Sequence, residues 1–168
     1  MNSKQVVAAL SVVVFLVILI YPALSSGSVS ISLESKSIPA AQHVIITITS
    51  VWAHRAGQIQ SQGWELVFNT TKNVDLMSLV SSPDVIKGNA PVATYDTLRI
   101  DVSNVTWVFN GTSSNLQLES DQLTSSIDFT VRSSQDLPLI MVIAGRSEVL
   151  QGQRFFAATL NATLANGP

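Results

Sequence analysis

The chain has 168 residues, 46% hydrophobic and only 12% charged, with a formal net charge of −2 at pH 7. That balance lacks the cationic stripe that nucleic-acid binding needs for counterion release, and it gives no basis for electrostatic attachment to anionic lipid. The count of cysteine is 0, which removes disulfides, thiolate metal sites, cysteine nucleophiles and lipid anchors carried on cysteine.

Residues 1–26 read as a leader. A short start with one cation, Lys4, runs into the uncharged apolar stretch Val6 to Ile20, then Tyr21-Pro22 and the small residues Ala23-Leu24-Ser25-Ser26, the layout of a signal peptide. The same residues read as an N-terminal hydrophobic helix retained as a membrane anchor, since 6–24 approaches the roughly 20 residues that cross a bilayer. Lys4 favours a cytoplasmic N-terminus, so either reading exports the rest, as a secreted protein or on the extracellular face of the membrane. About 140 residues remain, enough for one domain with a real core, which is assigned to 28–165.

Almost every later apolar run alternates with period two, as strands with one buried face do. The runs are Val29/Ile31/Leu33, Val44/Ile46/Ile48, Trp64/Leu66/Phe68, Ile127/Phe129/Val131 and Phe156/Ala158/Leu160/Ala162/Leu164, with Leu137 to Ala144 continuously apolar as in a central strand. Asn110-Gly111, Ser133-Ser134, Gly145 and Gly152 supply turn signals. In two places the phase slips. Leu98, Ile100 and Val102 face one way, but Val105, Trp107 and Phe109 continue on odd numbers, which predicts a β-bulge near Ser103-Asn104. A similar slip near Ser50 is one reading of Ile48 followed by Val51; the other keeps Trp52 on the even face. Asp75 to Val80 predicts a helical turn or two, capped by Asn73 or Asp75 and stopped by Ser82-Pro83. The expected fold is all-β: a single antiparallel β-sandwich of about seven or eight strands behind the leader helix.

The chemistry-bearing residues form no catalytic set. His43 and His54 flank one strand and read as plain surface or strand-end histidines. No Gly-x-Ser-x-Gly elbow and no Asp-x-Asp-x-Asp-Gly calcium loop occurs. No catalytic, metal or cofactor site is therefore assigned, and the chain reads as a non-enzyme. Four sequons begin at Asn69, Asn104, Asn110 and Asn161, all expected on accessible positions, so glycosylation is expected there. Of the tryptophans, Trp64 and Trp107 share faces with core residues. Trp52 is the one candidate for a ligand platform, because flat aromatic rings stack on sugars. Val29, Ile31 and Leu33 make either a first edge strand or a strand donated to a neighbouring copy, backbone hydrogen bonds supplying affinity and alternate side chains filling a groove.

The order Val44 to His54, Gly63-Trp64-Glu65-Leu66, Val74 to Leu79 and Tyr95 to Ile100 resembles a family of exported archaeal and bacterial β-sandwich domains of unknown function, related to carbohydrate-binding-like, transthyretin-like sandwiches. The resemblance covers roughly Val29 to Leu164 and implies no catalytic residue. The chain departs from it in having no cysteine for a lipid and in carrying Ala93, not glycine, before Tyr95. A looser likeness is to archaeal extracellular filament subunits joined by donated strands. Together these readings lead to a non-catalytic cell-surface protein of envelope structure, adhesion or filament assembly. The alternative is a carbohydrate-binding module on the cell surface. Its partners are then the membrane through residues 6–24, further copies by strand exchange, or a glycan.

Overall fold

The computed structural model describes residues 11, 12, 14, 15, 25–36, 38, 41–150 and 153–165. The expected leader helix and its span, 6–24, therefore lie almost wholly outside the described residues. No described helix is long and apolar enough to cross a membrane.

The described chain is nearly all strand. In order come β1 (Ser26–Ser35), β2 (His43–Arg55), β3 (Trp64–Asp75), α1 (Leu76–Leu79), β4 (Asp84–Pro91), β5 (Ala93–Phe109), β6 (Thr112–Leu118), β7 (Gln122–Val131), β8 (Asp136–Leu150) and β9 (Gln153–Leu164). The short helix α1 forms where a helical turn was expected: the Asp75 carboxylate caps it by accepting from the Met77 N–H, and no basic residue follows in its last turn.

Two expectations are corrected. The strands number nine and join in one sheet, ordered β3-β2-β5-β6-β9-β8-β1-β4 with β7 also paired to β5. They do not separate into two independent layers. The reason lies in β5, whose 17 residues are too many for one layer. Its first half pairs with β7 and its second half with β6, and β6 then passes the sheet to β9. Nor is the sheet wholly antiparallel, because β1 pairs with β8, and β6 with β9, in parallel. The sheet curls until its end strands β3 and β4 pack against each other, giving a nearly closed barrel.

Bulges provide the curling. On β2, Thr47 faces Asn104 while Ile48 faces Val102, so Ser103 is the extra residue, where the phase of the sequence changes. A second shift between Ile48 and Ser50 establishes the slip, after which Val51 and Ala53 take the core face at 0% exposure. A third was not foreseen: Val51 faces Phe68 but Trp52 faces Leu66, so Val67 is extra on β3. Val67 therefore turns into the core, and Trp64 and Leu66 turn outward, correcting the expectation that Trp64, Leu66 and Phe68 share an inner face. Trp107 does lie in the core, 4% exposed.

β1 is no edge strand. It lies between β4 and β8, its Val29, Ile31 and Leu33 all at 0% exposure. Asp136, at the start of β8, holds its first half by accepting from the hydroxyls of Ser28 and Ser30 at 2.8–2.9 Å. Those two bonds, Ser28 first, keep the Asp136 carboxyl below its ordinary value. At the hairpin between β5 and β6, Asn110 and Gly111 take φ of 49° and 73°, the left-handed pair a two-residue hairpin turn requires.

Candidate functional site on the outer face

The bulges at Thr49 and Val67 turn one set of side chains to the outside of β3, β2, β5 and β7. Cross-strand register puts Leu66, Trp52, Arg99 and Thr124 in one row. Trp64, His54, Thr97 and Ser126 form the row above, and Asn69, Ser50, Asp101 and Gln122 the row below. Side chains directly opposite on one face lie close enough to touch.

Arg99 is the centre of this face. Its guanidinium carbon lies 5.2 Å from the centre of the Trp52 ring and 4.7 Å from that of Trp64, inside the range of cation–π attraction. The Arg99 Nε lies 3.0 Å from Asp101 Oδ1, although the angle between them is too poor for a hydrogen bond. The other Asp101 oxygen accepts from Trp52 Nε1 at 2.7 Å and from the Ser50 hydroxyl at 2.6 Å. Trp52 Nε1 also lies 2.9 Å from Ser50 Oγ. The indole of Trp52 is thus locked in orientation through its N–H, leaving its ring half-exposed.

Above this, the loop 56–63 is fastened down. Gly57 and Gly63 both take φ of 78°, and Trp64 Nε1 donates to the Gln60 carbonyl over 2.9 Å. His54, 1% exposed, meets the Trp64 ring edge-on at 5.0 Å between centroids. Its Nδ1 lies 2.8 Å from Asp96 Oδ1 and its Nε2 3.2 Å from the Ile59 carbonyl. Both neighbours accept hydrogen bonds, an arrangement that favours the ring protonated on both nitrogens. The hydrogen bond to Asp96 raises the His54 pKa against the opposing effect of burial, and the same bond lowers that of Asp96. His54 is therefore a strand-end residue, as one of the two readings had it, but buried and paired, which overturns the other reading as a surface histidine. His43 is the exposed one, its Nδ1 2.6 Å from Asp75 Oδ2 at the start of β2.

Trp52, the one candidate ligand platform in the sequence, thus stands on the outer face. Its companions Trp64, Arg99 and Asp101 were not singled out, because only the pairing of β2 with β3 and β5 assembles them. Asn69, Asn104, Asn110 and Asn161 are all exposed, Asn104 beside the Ser103 bulge and Asn110 at the hairpin tip. Among the described residues, no group of three or more His, Asp or Glu is placed to hold a metal ion.

A separate cavity of about 380 Å³ opens at the far end of the barrel, lined by Ile38, Trp107, Phe109, Arg146, Val149 and Arg154 among others. Because β1 runs parallel to β8 with Ser28 beside Asp136, that end is opposite the one where residue 26 enters.

The family described as Domain of unknown function (DUF4382) matches residues 26–151. No curated protein matches the chain. The crystal structure of catechol 1,2-dioxygenase from Pseudomonas arvilla C-1 is similar at 12% identity, over 86% of this chain and 54% of that one. The chain thus spans about half the length of that enzyme, and with a TM-score of 0.21 the likeness carries no argument.

Proposed function

The chain belongs to the DUF4382 family of domains of unknown function, and we propose that it is a non-catalytic cell-surface module, exported behind its leader, which binds carbohydrate on the outer face of β3, β2, β5 and β7. The observation that carries this reading is the fixed, half-exposed indole of Trp52 beside Trp64 and Leu66, which is 38% exposed. Sugar rings offer apolar C–H faces to such rings, and the flanking Asn69, Gln122, Thr124 and Ser126 supply neutral hydrogen-bonding groups of the kind that orient hydroxyls. The low charge and abundant Ser and Thr of the exported part suit a surface that meets neutral or weakly charged polymer. Glycan-array binding by the full chain in mild detergent, lost in Trp52→Ala with the β-sheet circular dichroism retained, is the expected result. An array without a single bound glycan would remove the reading.

A second reading, in which copies assemble into an adhesive or filamentous structure by exchanging β1, draws support from one feature. β1 is bonded on both sides to strands that do not adjoin it in sequence, so an identical strand from a neighbour satisfies the same partners. Deleting residues 28–35 from the full chain should then abolish polymers; unchanged assembly would exclude strand exchange.

A further inference from the structure

The geometry points to an acidic sugar as the ligand of this face, one whose carboxylate or sulfate group is gripped by Arg99; the inference rests on the carbohydrate-binding reading and narrows it. A guanidinium is flat, and its donors lie in its plane. Trp52 and Trp64, within stacking distance of Arg99, draw on its π-system and cost it no N–H group. The Asp101 carboxylate lies 3.0 Å from Nε. Among the described residues the terminal nitrogens of Arg99 have no hydrogen-bond partner, and its Nε, although buried, makes only the poorly aligned approach to Asp101.

His54 pairs with Asp96, and Arg55 Nε lies 2.8 Å from Glu65 Oε1. Asp101 is committed to Trp52 and Ser50 through its second oxygen. An arginine held at 17% side-chain exposure, braced by two rings and left with unused donors, is pre-organised for an oxyanion. Two parallel N–H···O bonds from such a fork are among the stronger polar contacts available to a binding site. The tryptophans on either side would then lie along the faces of the sugar that carries the anion or of its neighbours. An anion bound here shares Arg99 with the Asp101 carboxylate, whose Oδ1 lies 3.0 Å from the Arg99 Nε.

The test uses the full chain in mild detergent and four polymers: polygalacturonate, fully methyl-esterified polygalacturonate, neutral galactan and dextran sulfate. Preference for either anionic polymer over neutral galactan by tenfold or more supports the inference, and which of the two binds tighter identifies carboxylate or sulfate as the group. For a carboxylate ligand, esterification removes the preference without any change to the protein, so the result does not depend on a variant folding. Arg99→Lys, which keeps the charge and loses the fork, should reduce the preference to below threefold while neutral-polymer binding persists. Equal binding of all four polymers overturns the acidic-sugar inference and leaves the carbohydrate reading standing. Binding to none overturns both.

Discussion

His54 on β2 lies with its Nδ1 2.8 Å from Asp96 on β5 and its other nitrogen facing the Ile59 carbonyl, so that one buried imidazole ring ties two strands and the loop 56–63 together. The pair makes stability depend on pH with a definite sign. His54 has its folded pKa raised above 6.5, chiefly by the bond to Asp96. Its contribution is complete below about pH 6.5 and fades as pH rises through the raised value. Asp96 has its folded pKa lowered below 3.8, chiefly by the bond from His54. Its contribution is complete above that value and fades as pH falls through the lowered one. Thermal melting should therefore show a plateau between about pH 4 and 6.5 with decline on both sides. In Asp96→Asn the alkaline decline should flatten, with a loss near pH 5 of about 1.5 kcal/mol, the low end for a charged hydrogen bond because Asp96 is partly exposed.

The seam between the two ends of the sheet is expected to be intolerant of a methyl group. A Cβ on Gly88 of β4 would lie 2.0 Å from the Val67 carbonyl oxygen and 2.8 Å from its carbon, both backbone atoms of the β3 bulge. Gly88→Ala should cost about 1–3 kcal/mol as an overpacking change that only a backbone shift relieves. Gly111→Ala is the control: its Cβ meets nothing within 4 Å, so the cost is that of the left-handed conformation, about 1–2 kcal/mol. Chemical denaturation of both variants measures the difference, and a neutral Gly88→Ala would mean that β3 and β4 stand apart in solution.

Trp107 and Trp64 separate inner from outer tryptophans. Trp107→Ala should cost about 3–5 kcal/mol as an aromatic truncation in the core. Trp64→Ala should cost less, since it removes a surface ring, the bond to Gln60 and the stack on Arg99. Comparable losses at the two positions would contradict the β3 bulge at Val67.

The place of β1 is open to the same kind of measurement. Ile31→Ala should cost about 2–5 kcal/mol because the side chain is buried, whereas the outward Ser32 should tolerate Ala within about 0.5 kcal/mol. Hydrogen exchange along 29–33 as slow as along β2 is expected of a strand bonded on both edges. A fast-exchanging, mutation-tolerant β1 would show that the strand is not held within its own chain.

Much of this fold was legible in the residues. The bulge at Ser103 announced itself because apolar residues changed parity, the slip beside Ser50 was one of two readings there, and Asp75 was one of two candidate caps. The bulge at Val67 left no trace, since Trp64-Glu65-Leu66-Val67-Phe68 is apolar at both parities and reads as plain alternation whether or not a residue is inserted. The continuous barrel was hidden too, because nothing in the run Ala93 to Phe109 marks that its halves pair with different strands. Burial of His54 depends on Asp96, 42 residues away, and no local pattern expresses that. The outer site suffered the same way: Arg99 was visibly outward between Leu98 and Ile100, but its neighbours Trp52 and Trp64 come from other strands, and only register unites them.

The most direct measurement for the central claim is titration of the full chain in mild detergent with glycans, for the unmodified protein and for Trp52→Ala. Saturable binding by the unmodified protein, weakened at least tenfold in a variant whose β-sheet circular dichroism is unchanged, is what an outer face built around Trp52 predicts. Binding that survives intact in Trp52→Ala would contradict it.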